Sequence, residues 1–388
     1  MTKRILIDLF SGAGGFSLGA HQSGFITRLA IDNDKDLVAS YPINFPKAKL
    51  IIEDISKLDP LDTIHKTGIK LKEIDGILGG PPCQGFSYMG KRNTEDVRNK
   101  LLWHFFQFIK ACEPKFFIME NVPGLMTNPF IHLLNAGIDL VASRYSIIGP
   151  KILNAADFGA ATNRYRIFVI GYRNQYINSF TEADINLVKT TSSTVYEAIH
   201  DLPPLDTAFQ DSSGHFWAKY IPPLNDGMIS EYAKRARLYP TDELSTLAIR
   251  QKLTEGLVSG FPITRHTPEV IKRFASVQLG KCDKISKCTR LNWNTPCIVL
   301  RAGTGKDKGG YQSIRPIHPE ENRVISIREA ARIQGFPDWF QFHPTKWHSF
   351  RMIGNSVSPY IAKAILMVIS KNMHYSIPNQ ITSSPNVG

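Results

Sequence analysis

The chain contains 388 residues, of which 43% are apolar, enough to bury one large core and to add a second, smaller lobe. Its 46 lysines and arginines outnumber its 34 aspartates and glutamates, which gives a net charge of +12. This excess favours a polyanionic partner, of which nucleic acid is the commonest. On charge alone, a basic protein without a nucleic-acid role remains an alternative.

Neither a secretion signal nor a membrane span is predicted. The first residues, MTKRILIDLF, include two basic residues and reach Asp8 after only a few apolar ones, so they cannot form the apolar core of a signal peptide. The most apolar stretch, LLWHFFQFIKACEPKFFIM, is interrupted by charged residues and a proline, and no run approaches the ~20 residues of a membrane helix. We therefore expect a cytoplasmic protein.

The five cysteines form a sparse and odd set, which is typical of reduced intracellular thiols rather than of a disulfide framework. Cys282, Cys288 and Cys297 lack the paired two-residue spacing of zinc sites. We therefore expect no metal.

The first third of the sequence alternates short β-branched runs with amphipathic stretches, from RILIDLF to KFFIMEN. This order predicts an α/β fold, in which a doubly wound parallel sheet carries helices on both faces and binds its ligands at the carboxyl ends of the strands. After RIFVIGYR the regular pattern fades. The predicted segments are a first domain at 1–185, a second lobe of unpredicted fold at 186–349, a helix at 350–375 that packs on the first domain, and a flexible tail at 376–388. Ser358 and Pro359 suit the start of that helix.

A glycine-rich turn follows the first predicted strand, because ILIDLF runs directly into SGAGGFSLG with Gly12, Gly14 and Gly15. Glycine there allows a ligand to approach the backbone, although Ser17 stands where a dinucleotide fingerprint has its third glycine. Asp32 ends the next strand, where it could bond ribose hydroxyls, and Asp54 ends the third, where it could accept from an adenine amino group. The pattern predicts a nucleoside cofactor, with ordinary turns as the alternative.

A cysteine follows the strand DGILGG in the segment GGPPCQGFS. Pro81 and Pro82 stiffen the chain before Cys83, so the thiol is expected at a fixed exit from the sheet. Most buried cysteines are inert small hydrophobes, but this setting offers little side chain to bury one. The charged segment GKRNTEDVRNK just downstream could close over a substrate.

Charged residues follow or precede two further strands. Glu120 and Asn121 end the strand KFFIM, where a carboxyl group is a candidate for a raised pKa and could donate a proton; a solvated glutamate is the alternative. Arg164 and Arg166 alternate ahead of the strand IFVIGYR, so they share one face and could supply fixed positive charge, unless they form a plain surface pair.

In chain order the motifs are DLFSGAGGFSLG, GGPPCQGFS, MENV, NRYR, RVISIREAARIQGFPD and RMIGNSVSPYIAKAI. In this combination the chain resembles the DNA cytosine-5 methyltransferase family, over about residues 4–173 and 316–370. The resemblance implies a class I methyltransferase, with a Rossmann-like catalytic domain completed by the C-terminal helix, a target-recognition domain in the middle lobe, and double-stranded DNA in the cleft. It also implies a monomer of restriction-modification type, with a cognate restriction endonuclease acting at the same site.

Position by position, the resemblance implies that Cys83 is the nucleophile, that Glu120 is the acid, and that Arg164 and Arg166 hold the base and its surrounding charges. The implied cofactor is S-adenosyl-L-methionine. Phe10 is implied to stack on its adenine, and Asp32 is implied to bind its ribose. The full set implied to contact or border it is Phe10, Gly12, Ala13, Gly14, Gly15, Asp32, Asn33, Asp54, Ile55, Pro82, Leu101, Asn355 and Ser356. Asn33 departs from the family, in which several members carry a large aromatic residue at this position.

Three alternatives are open. An RNA cytosine-5 methyltransferase would share the architecture, but the long middle lobe favours a DNA substrate. A non-catalytic DNA-binding module would not need Cys83, Glu120 and Arg164. A nicotinamide dehydrogenase would leave the segment Pro-Pro-Cys-Gln without a role.

Overall fold

The computed structural model describes residues 4–82, 99–128, 130–220, 229–302 and 315–374. A seven-stranded sheet forms the centre of the first half, in the order β3-β2-β1-β4-β5-β7-β6. Its strands are β1 Arg4–Leu9, β2 Phe25–Asp32, β3 Lys49–Ile52, β4 Ile74–Gly79, β5 Phe116–Asn121, β6 Ser146–Asn154 and β7 Tyr165–Tyr172. The predicted α/β class is confirmed.

The strand directions differ from the prediction at one edge of this sheet. Strands β1 to β5 pair in parallel, whereas β7 runs antiparallel to both β5 and β6. The chain builds outward from β1 to β3 and then returns to β4 on the other side of β1. The carboxyl ends of β1 and β4 therefore flank a topological switch point, where open α/β sheets bind their ligands.

Helices cover both faces of the sheet and continue through the second half. In chain order they are α1 Gly15–His21, α2 Tyr41–Asn44, α3 Pro60–His65, α4 Asn99–Cys112, α5 Ile131–Asp139, α6 Glu182–Leu187, α7 Val195–Ile199, α8 Glu231–Ala236, α9 Leu247–Thr254, α10 Pro268–Ala275, α11 Ile327–Gln334, α12 Lys346–Asn355 and α13 Pro359–Asn372. The stretch KDLVASYPINF forms only the short α2, because Pro42 suits a first helical turn and the chain turns again at Phe45.

The middle of the chain contains a small antiparallel sheet in the order β10-β9-β8, in which β8 is Phe209–Gln210, β9 is Phe216–Lys219 and β10 is Leu257–Ser259. Buried arginines of α11 organise this part. Arg332 forms ion pairs with Asp201 at 3.1 Å and with Asp338 at 2.6 Å. One apolar cluster joins this part to the first domain, since it includes both Phe45 and Phe336. The division at 185 and 349 remains a prediction.

The C-terminal helix α13 begins at Pro359 after Ser358, as predicted, and packs on α1. The contact is close, because a Cβ atom on Gly19 would lie 2.5 Å from Ala362 Cβ and 2.8 Å from the backbone nitrogen of Lys363. By length and composition, the segment Lys346–Asn372 could also cross a membrane, but 72% of its most apolar window is buried, which is typical of a core helix.

A buried polar network lies under the start of α1. The Ser17 hydroxyl donates to Asp8 Oδ2 at 2.5 Å and lies 2.7 Å from the Tyr41 hydroxyl. Asp8 is 1% exposed, and burial raises its pKa from 3.8 to about 7. Ser17 stands where a dinucleotide fingerprint has its third glycine, and its hydroxyl bonds the buried Asp8 carboxyl group.

Substituting Gly19→Ala should separate α1 from α13, because the added methyl group would meet backbone atoms that cannot rotate away. We expect a loss of about 1–3 kcal/mol in the free energy of unfolding, measured from the denaturant midpoint. Gln22→Ala, at the exposed end of the same helix, serves as the control. An unchanged midpoint for Gly19→Ala would contradict this packing.

Asp8 should make folding stability depend on pH. Because its folded pKa of about 7 lies above the unfolded value of 3.8, folding takes up a proton between them, and stability falls as pH rises through this window. Between these two pH values, the free energy of unfolding of Asp8→Asn should decrease by up to about 4 kcal/mol less than that of the wild type. Thermal unfolding from about pH 4 to pH 8 measures it. Asp139→Asn, at an exposed position, is the control, and a wild-type slope in Asp8→Asn would refute the assignment.

Candidate active site

The turn after β1 holds the first group of predicted site residues. Phe10 and Gly12 both adopt the left-handed backbone region, with φ of 59° and 51°. Within the described part of the chain, and apart from its two neighbours in sequence, no atom lies within 4 Å of the place where a Cβ of Gly12 would stand. The Gly12 amide donates to Asp32 Oδ2 at 2.8 Å. The structure therefore brings together the glycine turn and the acid that ends β2.

The other two glycines of the turn are required for packing within the protein. A Cβ on Gly14 would lie 2.4 Å from the Phe45 ring, and one on Gly15 would lie 2.2 Å from the Val357 carbonyl oxygen and 3.2 Å from Ser356 Cβ. The sequence predicts that glycine in this turn allows a ligand to approach the backbone; among the described residues, Gly14 and Gly15 face protein atoms and Gly12 does not. Gly15 instead brings the turn against the segment before α13.

Backbone hydrogen bonds hold the Asp32 carboxylate in place, and an ion pair supports one of the residues that make them. Its Oδ1 accepts from the Asp34 amide at 2.9 Å, and the Asp34 side chain pairs with Arg351 of α12 at 2.6 Å. Burial raises the pKa of Asp32, and the amides of Asp34 and Gly12 oppose this rise. Sequence reasoning missed Asp34 and Arg351, because the ion pair joins residues 317 positions apart.

The remaining predicted cofactor residues differ in burial and in their contacts. Asp54 begins a short 3-10 turn and accepts from the Ser56 amide at 2.9 Å, which lowers its pKa and keeps it ionised. Ser356 is buried and donates to the Met352 carbonyl at 2.6 Å. The other predicted residues fall into three groups: Phe10, Leu101 and Ile55 in one apolar cluster, Asn33 and Asn355 exposed, and Ala13 buried with Pro82 half-buried.

Glu120 lies at the end of β5, beside the residues that lead to Cys83. It is only 7% exposed. A Cβ on Gly80 would stand 3.1 Å from Glu120 Oε2, and the neighbouring Asn121 donates from Nδ2 to the Pro81 carbonyl at 3.1 Å. Cys83 itself lies outside the described residues, as does most of the charged segment after it. The described chain therefore brings Gly80 beside Glu120 and Pro81 beside Asn121.

The electrostatics of Glu120 combine burial with positive charge. Burial raises the pKa of its carboxyl group, and Arg166 and then Arg164 oppose that rise. This direction agrees with the expectation from its position at the end of a strand. Arg166 Nε lies 2.9 Å from Glu120 Oε1, so this oxygen is paired with a positive charge. The other carboxyl oxygen, Oε2, lies on the side of Gly80.

Arg164, directly before β7, and Arg166, within it, both act on Glu120 through their charge, and they are not a surface pair. Arg164 is 2% exposed, and its guanidinium donates to the Gly354 carbonyl at 2.9 Å and to the Leu300 carbonyl at 3.4 Å. Arg164 therefore ties β7 to the end of α12 and to the middle of the chain, whereas Arg166 contacts the acid directly. Sequence spacing placed both on one face but did not separate these two tasks.

Comparisons with known proteins agree with this arrangement. The profile of the family described as C-5 cytosine-specific DNA methylase matches residues 5–371. Among curated proteins, the Type II methyltransferase M.XorII of Xanthomonas oryzae pv. oryzae is 37% identical over 370 residues, covering 94% of this chain and 84% of that protein. The Type II methyltransferase M.DdeI of Desulfomicrobium norvegicum is 32% identical over 404 residues, covering 94% of this chain and 88% of that protein.

Solved structures share the fold. A prophage-encoded candidate DNA modification methyltransferase from E. coli superposes with a TM-score of 0.82 at 37% identity, covering 95% of this chain and 99% of that chain. The Dnmt2 methyltransferase of S. pombe superposes with a TM-score of 0.61 at 14% identity, covering 95% and 99%, a likeness that concerns the fold alone. The chain therefore belongs to the C-5 cytosine-specific DNA methylase family and is a DNA (cytosine-5-)-methyltransferase (EC 2.1.1.37) of restriction-modification type.

Proposed function

We propose that the chain methylates C5 of a cytosine flipped out of duplex DNA, using S-adenosyl-L-methionine, with Cys83 as a covalent nucleophile and Glu120 as the proton donor. The observation that carries this proposal is the environment of Glu120. Its carboxyl group is buried, its pKa is raised, and it pairs with Arg166. It also borders Gly80, and the neighbouring Asn121 bonds the Pro81 carbonyl; these two residues lie three and two positions before the proposed nucleophile.

The edge of the sheet at β1, β2 and β3 supports a nucleoside cofactor. The space that the described residues leave at Gly12 allows a ligand to reach the backbone, and the fixed carboxylate of Asp32 suits ribose hydroxyls. We assign Asp54 to the adenine amino group, Phe10 to its ring, and the other predicted residues to the border of the site. S-adenosyl-L-methionine, when bound there, supplies an electrophilic methyl group.

Cytosine C5 is a poor nucleophile, so the protein must push electrons into the ring. The Cys83 thiolate adds to C6, and the Glu120 carboxyl group delivers its proton to N3, which turns C5 into an enamine-like nucleophile. After C5 is methylated, its proton is lost to a base, the C6–S bond breaks, and the N3 proton returns to Glu120. The ring regains its aromaticity and the thiolate is regenerated.

The two arginines serve this chemistry through their charge. Arg166 orients the Glu120 carboxyl group and limits the rise of its pKa. Arg164 holds the nearby segments together and keeps a buried positive charge at the site, which would increase the thiolate fraction of a cysteine beside it. Because stacked neighbours enclose C6 in a duplex, the base must leave the helix, at a cost of a few kcal/mol. Contacts from basic residues to the phosphates would offset this cost.

The wider assignments are that 1–185 and 350–375 form the catalytic domain, that 186–349 read the DNA sequence, and that the enzyme is a cytoplasmic monomer. A restriction endonuclease would act at the same site. Bisulfite sequencing of DNA from cells that express the chain would identify the methylated cytosines. Unmodified cytosines throughout, with soluble folded protein in the cells, would contradict the proposed function.

Substituting Cys83→Ser should abolish methyl transfer to duplex DNA, because the covalent step needs the thiolate, while cofactor and DNA binding persist. The control is Cys282→Ser, which removes an exposed thiol and should leave the rate unchanged. Duplex DNA containing 5-fluorocytosine should trap the wild-type enzyme as a complex that survives denaturing electrophoresis. A trapped complex with Cys83→Ser, or wild-type turnover by it, would remove Cys83 from the mechanism. Equal methylation of tRNA would instead favour an RNA substrate.

Removing Arg166 should change the pH dependence of the reaction. Glu120 must be protonated to act as a donor, so kcat/KM falls as pH rises through its pKa. Arg166→Gln removes a positive charge that lowers this pKa, so the falling limb should move to higher pH, with a maximal rate about 10-fold lower. The control is Arg173→Gln, beyond the other end of β7, where the arginine pairs with Glu113. A falling limb that stays in place or moves to lower pH would contradict the role of Arg166.

A further inference from the structure

A short hairpin in the second half of the chain presents a basic tip. Its two sides pair at Cys282 and Thr289, and the chain turns between them at Lys284, Ile285 and Ser286. The Ile285 side chain is 72% exposed. Single exposed apolar side chains are common on protein surfaces, so this one indicates a contact only together with the shape and the charge of the tip.

Hydrogen bonds fix the shape of this tip. The Asp283 carboxylate is buried, and it accepts from the amide of Ser286 at 2.6 Å and from the hydroxyl of the same residue at 2.5 Å. It also pairs with Arg273 of α10 at 2.9 Å. Across the turn, the Asp283 amide donates to the Cys288 carbonyl at 2.8 Å, and the Lys287 amide donates to the Asp283 carbonyl at 3.0 Å. The tip therefore has a defined shape before any partner binds.

The base of the hairpin is held by Arg290, which is only 5% exposed. Its Nη2 donates to the Phe274 carbonyl at 2.6 Å and to Asn322 Oδ1 at 2.7 Å. Its Nη1 donates to the carbonyls of His318 and Pro319, each at 3.1 Å. These bonds use the charge of Arg290 inside the protein, so the tip stands on a fixed base and a partner would meet the lysines of the hairpin instead.

The exposed charge of the hairpin is positive. Lys281, Lys284 and Lys287 are all exposed, and the acid of this segment, Asp283, is turned inward to Arg273. A rigid tip with clustered lysines suits a polyanion, and an isoleucine between two of these lysines suits one whose anionic groups border an apolar surface. The major groove of DNA combines both features, since phosphates line it and the thymine methyl group is accessible in it. It is also wide enough to admit a two-stranded β-ribbon.

We propose that the tip of this hairpin enters the major groove of the DNA substrate, with Lys284 and Lys287 on phosphates and Ile285 against the base edges. The inference rests on the proposed function, because that function makes duplex DNA the substrate. The phosphate contacts set the position of the protein on the duplex, and the isoleucine contact contributes to the choice of sequence.

The chain connects this tip directly to the proposed active site. After the hairpin, Cys297 pairs with Thr162, and the Leu300 carbonyl accepts from Arg164. The segment from Ile285 to Leu300 spans at most about 54 Å when fully extended, which is about one and a half turns of B-DNA. The tip and the active site can therefore contact the same duplex.

Salt-dependent DNA binding tests the two lysines. Fluorescence anisotropy with a labelled duplex of about three helical turns gives the association constant between about 50 and 200 mM salt. Lys284→Ala and Lys287→Ala should each weaken binding about 5-fold near 150 mM salt, and each should reduce the slope of its logarithm against log salt by about 0.9, as for one lost phosphate contact. The control Lys72→Ala removes an exposed lysine just before β4, at the opposite edge of the sheet from Glu120, and should change neither quantity.

Methylation patterns test the isoleucine. Ile285→Ala keeps both lysines, so its affinity for a duplex of arbitrary sequence should stay within about 2-fold of the wild type. Bisulfite sequencing of a plasmid library with randomised target sites should show that this variant accepts sites that differ from the wild-type sequence at one base pair, with selectivity at that pair reduced roughly 5-fold. The control Leu187→Ala truncates a leucine of α6 that is 82% exposed, and it should keep the wild-type pattern.

Circular dichroism establishes that the variants fold. The proposal is overturned if folded Lys284→Ala and Lys287→Ala keep the wild-type affinity and salt slope, or if Ile285→Ala keeps the wild-type methylation pattern. It is also overturned if the lysine variants lose binding to phosphatidylserine vesicles while their DNA binding is unchanged, because the tip would then contact a membrane surface. A wild type that binds duplex DNA through these lysines but methylates no cytosine would contradict the proposed function alone.

Discussion

The burial of one carboxyl group, that of Glu120, is the constraint on which the proposed chemistry depends. Removal from water favours its protonated form, while two arginines favour its ionised form. The balance of these opposed effects leaves the pKa raised. Pairing between β5 and β7 sets this balance, because the antiparallel register places Glu120 opposite Phe168, two residues from Arg166. An acid and its charged neighbour are thus held by backbone hydrogen bonds rather than by mobile loops.

The C-terminal segment completes the site through contacts that cross almost the whole chain. Arg164 donates to the Gly354 carbonyl at 2.9 Å, Gly15 allows close approach of Val357, and Arg351 pairs with Asp34. These three contacts connect the end of α12 to the acid-bearing strands and to the glycine turn. They give a physical reason why the motif RMIGNSV lies far from DLFSGAGG in sequence yet beside it in the fold.

Much of the first half could be predicted, because each strand has a local signature and the polar residues that follow strands reach one edge. The position of Glu120 at a strand end also predicted the direction of its pKa shift. The antiparallel direction of β7 could not be predicted, since periodicity does not encode strand direction. The packing roles of Gly14 and Gly15 were equally hidden, because they depend on Phe45 and Val357.

The second half resisted prediction for a different reason. Its described helices before α12 span no more than eight residues, and buried tertiary contacts, such as those of Arg332 with Asp201 and Asp338, hold them. Short helices of this kind are marginal in isolation, so their sequences carry weak periodic signals. The contact between Asp36 and His348 could not be predicted either, because the two residues lie more than 300 positions apart in sequence.

The most direct test of the central claim is the protonation state of Glu120 itself. Difference infrared spectra between the wild type and Glu120→Gln, recorded across pH, isolate the carbonyl stretch of the protonated carboxyl group. The account predicts that this band persists above the ordinary glutamate pKa of about 4.3, because burial raises the pKa of Glu120. Complete loss of the band at or below that pH would mean that the two arginines prevail over burial, and Glu120 could not act as the proton donor.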